Sequence, residues 1–307
     1  MSVVLDVVAP VFIIIALGYG AARWRFVQAG GFAGLNAFTF FLAGPALLFL
    51  GGVTMPGGGG PAAVAFFCGT AVVYAAALLL GWGVLRQGLS AAGLFALNAS
   101  FGNTVMMGIP LVLAAFGVQA MPAMLAILAL HSLVLLGLAT VVAEIGQHAN
   151  APLGRVLWAT LRGVLRNPIV MAVLAGLVWR TLALGPPLPA LRRTLELLAG
   201  ATSPVALFCL GGSLLGFNAR AAWRETGLTL LLKLAVMPVL VWLACRLLAV
   251  PADQTAVAVL VAAMPTGANA FLLAQRYQVG AEQSGAAVLL GTVLSVVTLS
   301  LLLVGVG

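Results

Sequence analysis

The sequence contains very few charged residues. Of its 307 residues only 7% are charged, with 14 basic and 6 acidic side chains. A soluble domain carries about 25% charged residues, which it needs to solvate its surface. This scarcity excludes an ordinary soluble enzyme, a disordered protein and a secreted disulfide-rich scaffold.

Residues that commonly hold metals or carry out catalysis are also scarce. The three cysteines have no C-x-x-C spacing, and only two histidines, His131 and His148, are present. The sequence contains no zinc-protease, P-loop or nucleophile-elbow motif. We therefore predict that the protein is not an enzyme and has no resident metal or cofactor.

Apolar residues fill most of the chain, because 63% of the residues are hydrophobic. A transmembrane helix needs about 20 consecutive apolar residues. The sequence therefore predicts an all-α polytopic membrane protein with ten transmembrane helices. The ten apolar segments are 3–22, 31–51, 62–85, 91–116, 121–145, 167–184, 190–215, 226–249, 254–276 and 282–305.

The net charge of +8 comes from arginines that separate the apolar segments. Nine arginines fall in the loops after the odd-numbered segments, whereas Arg192 and Arg193 fall clearly on the other side. Positively charged loops stay cytoplasmic and meet anionic lipid. We expect a protein of the plasma (inner) membrane with both termini extracytoplasmic, whose partner is the lipid bilayer and not nucleic acid.

Prolines recur at a nearly constant distance in the two halves of the chain. The pairs Pro10/Pro168, Pro45/Pro204 and Pro110/Pro265 are separated by 155 to 159 residues. Five helices is an odd number, so a second copy of the unit enters the membrane in the opposite orientation. We predict a first five-helix repeat at 1–145, a cytoplasmic linker at 146–166 and a second, inverted repeat at 167–307.

The fourth and ninth segments contain proline, glycine and asparagine near their middles, which predicts that both helices are broken there. Unwound backbone at membrane depth lines a cavity or is buried in protein, and free N–H groups at a helix start bind anions. The alternative is a pair of proline-kinked helices that bind nothing. The predicted substrate-binding residues on these segments are Asn98, Ser100, Asn103, Thr104, Pro110, Pro265, Thr266, Gly267 and Asn269.

Three further polar residues lie inside apolar segments. Asn36 in segment 2 is a candidate substrate contact, or it holds helices together by hydrogen bonding. Lys233, the single lysine, either attracts an anionic substrate or extends its ammonium to the interface. His131 either takes part in a proton step or is a hydrogen-bonded core residue. Because no acidic residue lies at a helix centre, a carboxylate relay for Na⁺ or H⁺ is poorly supported, although Asn, Thr and carbonyl oxygens also bind Na⁺.

The order of several short motifs along the chain resembles that of the auxin efflux carrier family, whose bacterial members include malonate and malate carriers. The motifs that carry the resemblance are Val8-Ala9-Pro10, Gly18-Tyr19-Gly20, Asn36, Pro45-Ala46-Leu47-Leu48-Phe49, Asn103, Gly108-Ile109-Pro110-Leu111, Asn167-Pro168, Lys233-Leu234, Pro238, Met264-Pro265, Asn269-Ala270-Phe271, Ala274 and Tyr277. The resemblance implies two inverted five-helix repeats and an organic anion held where helices 4 and 9 cross, with Asn103 and Asn269 facing it. It also implies a fold related to the bile acid:sodium symporters.

The chain departs from this family in two respects. It lacks the long central loop of the plant members, and segment 3 has no charged residue where some relatives have one. The first hypothesis is therefore an alternating-access carrier or uniporter of small organic anions, such as malonate, malate or auxin-like acids. The alternatives are a sodium-coupled organic anion symporter and a membrane sensor that does not transport. Small residues such as Gly30 and Gly34 are compatible with a homodimer.

Overall fold

The computed structural model describes residues 9–54, 59–147, 168–218 and 222–306, together with the single residues 154 and 162. This described part is helical throughout and contains no β-strand, only one isolated bridge between Gly102 and Thr266. We number its helices α1 Ala9–Arg23, α2 Ala29–Val53, α3 Gly60–Val84, α4 Leu89–Ser100, α5 Thr104–Phe116, α6 Met121–Gln147, α7 Pro168–Thr181, α8 Pro189–Leu214, α9 Trp223–Leu247, α10 Ala252–Ala262, α11 Ala268–Tyr277 and α12 Ala281–Val306.

Six of these helices are long and apolar enough to span a membrane, namely α2, α3, α6, α8, α9 and α12. Their outer surfaces carry large apolar side chains, such as Leu79 at 62% exposed and Leu301 at 70% exposed. An aqueous surface rarely accommodates extended apolar patches, whereas a lipid environment does. The all-helical membrane class is confirmed, and the count of ten spans stays a prediction.

The helices pack as two groups. One group contains α1, α2, α7 and α8, with α1 against α8 and α2 against α7. The second group contains α3 to α6 and α9 to α12, with α3 packed against both α4 and α9. The groups meet where α8 contacts the first turn of α5 and where α6 contacts α2 and α7. The crossover described below therefore lies in the second group, against the first.

Glycines allow the helices of the first group to approach closely. A methyl group on Gly18 would collide with the backbone carbonyl of Phe208, and one on Gly211 would collide with the carbonyl of Ile15. Gly52 and Gly176 meet in the same way between α2 and α7. Small residues at such contacts let membrane helices gain packing energy that lipid cannot supply.

Three π-helical turns each end two residues before a proline. They are Thr39–Ala43 before Pro45, Thr104–Gly108 before Pro110 and Leu232–Val236 before Pro238. Proline lacks the N–H that would bond four residues back, and its ring crowds that carbonyl. The preceding turn therefore widens instead of breaking, as the bond from the Gly108 N–H to the Asn103 oxygen, 2.9 Å, illustrates.

Some sequence-based expectations lie outside the described residues. These include residues 3–8 of the first segment, most of the predicted linker at 146–166, and Arg155, Arg166 and Arg220. The predicted division into halves at 145 and 167 stays a prediction.

Candidate functional site

The first break separates α4 from α5 over only three residues. Phe101 and Asn103 leave the helical conformation, and Asn103 adopts φ −76° and ψ 65°. These angles form an inverse γ-turn, which the Thr104 N–H closes by donating to the Gly102 oxygen at 2.9 Å. The chain therefore turns sharply and starts α5 directly after the turn.

The second break, between α10 and α11, pairs with the first. The Asn103 N–H donates to the Pro265 oxygen at 2.8 Å, and the Gly267 N–H donates to the Phe101 oxygen at 3.0 Å. These two bonds enclose the antiparallel bridge between Gly102 and Thr266. Each break thus supplies hydrogen-bond partners that the other has lost by leaving the helix, as membrane depth requires.

Side chains from α4, from the second break and from α12 reinforce this crossover. The Thr266 hydroxyl donates to the Asn98 carbonyl at 2.9 Å, and the Asn98 Nδ2 donates to the Ser284 Oγ at 2.8 Å. Ser100 instead bonds back to the Ala96 carbonyl of its own helix at 2.8 Å. All four side chains are buried. Ser284 on α12 was not predicted, and its place next to Gly285 near the start of a helix gave no signal for this role.

The start of α5 presents donors that have no acceptor in the described part of the chain. Asn103 is 5% exposed, and its Nδ2 has no hydrogen-bond partner. No side chain caps the α5 N-terminus or the α11 N-terminus, whose N-caps are Asn103 and Gly267. The first N–H groups of a helix have no intrahelical partner, and the helix dipole adds partial positive charge there. The two breaks therefore present hydrogen-bond donors and positive dipole ends close to each other.

His131 on α6 contacts the first break from the side. The Gly102 N–H donates to its Nε2 at 3.4 Å, and its Nδ1 lies 3.5 Å from the Thr104 Oγ1. The ring also lies against Phe101, with centroids 4.5 Å apart. His131 is fully buried and hydrogen-bonded. This geometry fits one of the two sequence-based interpretations of His131, namely a hydrogen-bonded core residue.

Lys233 lies behind the crossover and does not reach the surface. It is fully buried in the π-turn of α9, and its Nζ donates to the Ala262 carbonyl at 2.5 Å and contacts the Met237 Sδ at 3.2 Å. Ala262 is the last residue of α10, where the helix dipole is negative and a cation is stabilising. Among the described residues no carboxylate forms a salt bridge with it. The ammonium thus holds the end of α10 in place.

Three predicted site residues take no part in the hydrogen bonds of the bridge. Pro110 is buried just after the π-turn Thr104–Gly108 of α5, and its ring causes that π-turn to widen. Asn269 is exposed in the first turn of α11. Asn36 is half-buried and lines a separate cavity of about 680 Å³ with Arg25 and Ser213. The structure therefore brings Asn98, Thr266 and the backbone of Asn103, Pro265 and Gly267 together. A role of Pro110, Asn269 and Asn36 in substrate binding stays a prediction.

Two comparisons with known proteins show the family of the chain. The model of the family described as "Membrane transport protein" matches residues 3–303. A protein of Rhizobium meliloti (strain 1021) named "Putative malonate transporter" is 31% identical over 308 residues, which cover 99% of this chain and 96% of the relative. The chain therefore belongs to the membrane transport protein family, the auxin efflux carrier family, and is a multi-pass membrane transporter and not an enzyme.

Proposed function

We propose that the protein carries small organic anions, with carboxylates such as malonate as the first candidates, across the plasma (inner) membrane. The observation that carries this proposal is the buried Asn103 Nδ2, which has no acceptor at the start of an uncapped helix. A buried donor without a partner costs about 1–3 kcal/mol, so native proteins rarely retain one. A bound carboxylate oxygen supplies the missing acceptor.

The chemistry of the surroundings favours an anion over a cation. The N-termini of α5 and α11 meet at the bridge, and the C-terminal carbonyl of α10 is occupied by Lys233. The positive dipole ends of α5 and α11 are therefore available to a ligand, while the negative end of α10 is bound to the Lys233 ammonium. The relative named for malonate supports a carboxylate substrate.

The ten-span inverted-repeat architecture is part of the same proposal. Helices in the two halves begin about 160 residues apart, for example Ala29 and Pro189, or Leu89 and Ala252. The two breaks fall at corresponding places in this scheme, which is the arrangement of many secondary transporters. Alternating access then moves one helical group against the other, with both termini extracytoplasmic. The proposal also includes a homodimer that packs through Gly30 and Gly34, which have no neighbouring atom within 4 Å of an added Cβ. A measurement of the oligomeric state tests this dimer.

The test is uptake and exchange of labelled malonate, malate and an indole carboxylate in proteoliposomes. Asn103→Ala should raise the KM about tenfold or more, because it removes a hydrogen bond to a charged group. Asn103→Asp should abolish transport, because a carboxylate would then face the substrate. Gln119→Glu, which adds the same charge at an exposed position beyond α5, is the matched control and should leave the KM unchanged. Wild-type rates in Asn103→Ala for every accepted substrate would contradict the proposal.

A sodium-coupled symporter is the second candidate, because one buried acceptor also lacks a partner. The Asn98 Oδ1 has none, and the oxygens of Ser284 and Thr266 are bonded to the same residue. Oxygen ligands of this kind suit Na⁺. Uptake that is unchanged when choline replaces Na⁺ would remove this candidate. Membership of a transporter family argues against the third hypothesis, a sensor without a transport cycle.

A further inference from the structure

The imidazole of His131 bridges two neighbouring groups at the first break. Its Nε2 faces the Gly102 N–H at 3.4 Å and its Nδ1 faces the Thr104 Oγ1 at 3.5 Å. Phe101 and Phe66 flank the ring, with centroid distances of 4.5 Å and 5.9 Å. The aromatic neighbours leave the ring little freedom to turn, so each nitrogen keeps its partner.

The backbone contact determines the tautomer of the ring. A backbone N–H can only donate, so the Nε2 that accepts from Gly102 carries no proton. A neutral imidazole has one protonated nitrogen and one acceptor nitrogen. The proton of His131 therefore lies on Nδ1, and the Nδ1–H donates to the Thr104 Oγ1.

This tautomer determines what the Thr104 hydroxyl can do. Its oxygen accepts from the His131 ring, so its own hydrogen remains available for a different acceptor. Thr104 is 3% exposed, and no acceptor for this hydrogen is present in the part of the chain that the structure describes. The neighbouring Asn103 Nδ2 is also a buried donor without a partner. With the opposite tautomer, Thr104 would donate to the ring and the site would lose one donor.

We infer that His131 is a positioning residue for substrate binding: it orients the Thr104 hydroxyl so that this group donates to the substrate carboxylate next to the Asn103 amide. The inference rests on the proposed function, because it names a further contact of the same anion site. It assigns His131 no proton transfer, since the ring keeps one proton on Nδ1 throughout. It also assigns the substrate contact to Thr104, and not to His131 itself.

A double-mutant cycle on KM tests whether His131 acts through Thr104. Thr104→Val removes the hydroxyl at constant shape and should raise the KM for the transported anion by about tenfold to a hundredfold, the range of one hydrogen bond to a charged acceptor. His131→Phe should raise it by a similar factor in the wild-type background. In the Thr104→Val background the same change should alter the KM less than about twofold, since coupled residues are not additive.

Controls separate positioning from a merely structural role. Thr104→Ser keeps the hydroxyl and should retain the dependence on His131. Thr292→Val removes a different buried hydroxyl, which bonds to the Val288 carbonyl within α12 at 2.7 Å, and should leave the KM unchanged. KM effects of His131→Phe and Thr104→Val that multiply in the double variant would overturn the inference while leaving the anion carrier intact. If the wild-type protein moves no anion by uptake or exchange, the proposed function itself fails.

A spectroscopic measurement tests the tautomer without any change at the site. The chain has only two histidines, so His148→Gln leaves His131 as the single imidazole for ¹⁵N-histidine labelling. Solid-state NMR in lipid should show a neutral ring with the proton on Nδ1. A ring protonated on Nε2, or on both nitrogens, would overturn the inference even if His131→Phe does not fold.

Discussion

The two glycines of the crossover should respond differently to the same substitution. A Cβ on Gly267 would lie 2.8 Å from the Phe101 ring and 3.0 Å from the Gly102 oxygen. A Cβ on Gly102 would find its nearest atoms at 3.4 Å and 3.5 Å, which is ordinary van der Waals contact. Neither glycine has a positive φ, so backbone strain does not contribute. The comparison therefore isolates how closely the two broken helices approach.

The size of the effect follows from the bonds that must move. Gly267→Ala has to push the strands of the bridge apart, which weakens the bonds from Gly267 to Phe101 and from Asn103 to Pro265. Overpacking of this kind costs typically 1–3 kcal/mol, and each of two weakened hydrogen bonds contributes about 1 kcal/mol to that total. We expect a loss of about 2 kcal/mol and a Tm lower by about 5 °C. Gly102→Ala should stay within about 1 °C of the wild type.

The assay is thermal unfolding of the purified protein in detergent, followed by size-exclusion chromatography, with anion uptake in proteoliposomes as the second readout. Gly267→Ala should lose both stability and uptake, and Gly102→Ala should keep both. Equal losses in the two variants would refute the bridge geometry. So would a Gly267→Ala variant that unfolds and transports like the wild type.

Two further predictions concern other helix contacts. Gly211→Ala should sharply reduce the yield of folded protein, because its Cβ would collide with the Ile15 carbonyl. The control is Gly200→Ala in the same helix, whose Cβ meets no atom within 4 Å and which should be neutral or slightly stabilising. Similar yields of the two variants would contradict the α1–α8 contact. Lys233→Gln should keep a donor for the Ala262 carbonyl but lose the charge. This variant should therefore retain most of the thermal stability and raise the KM for anions. Lys233→Met leaves the carbonyl unsatisfied, which should lower the free energy of unfolding by about 1–3 kcal/mol. Thermal unfolding of both variants together with anion uptake separates the two roles, and equal stability of Lys233→Gln and Lys233→Met would contradict the assigned bond.

Composition and short-range pattern were sufficient to predict the membrane class and the family. Few charges and apolar runs of about 20 residues indicate helices in lipid, where a helix satisfies its backbone groups internally. The clusters around Asn103 and Pro265 indicated where helices would depart from regularity, because proline and glycine act on the backbone locally. These are properties of a residue and its chain neighbours, so the sequence displays them directly.

The detailed site could not be predicted, because its contacts join residues that are far apart in the chain. Asn98 bonds to Ser284 and Thr266 bonds to Asn98, although long stretches of chain separate each pair. Pro110 was grouped with the break, but a proline influences the turn before it, and that turn widens into a π-turn without opening. For Lys233 the sequence left two interpretations open, a contact with the anion or an ammonium at the membrane interface. Its bond to the Ala262 carbonyl depends on how α9 packs beside α10.

The hydrogen bonding of the backbone explains why the two breaks belong together. A single broken helix in lipid leaves several N–H and C=O groups without partners, each at a cost of several kcal/mol. Here the breaks exchange two hydrogen bonds with each other, His131 accepts from Gly102, and Lys233 donates to the end of α10. The donors at the start of α5 are left over, and they lie where α5 contacts α8 of the other helical group. In the proposed carrier these donors without partners form the binding site. Motion between the two groups would expose it in turn to either side, while the bridge moves with α3 to α6 and α9 to α12 and stays intact.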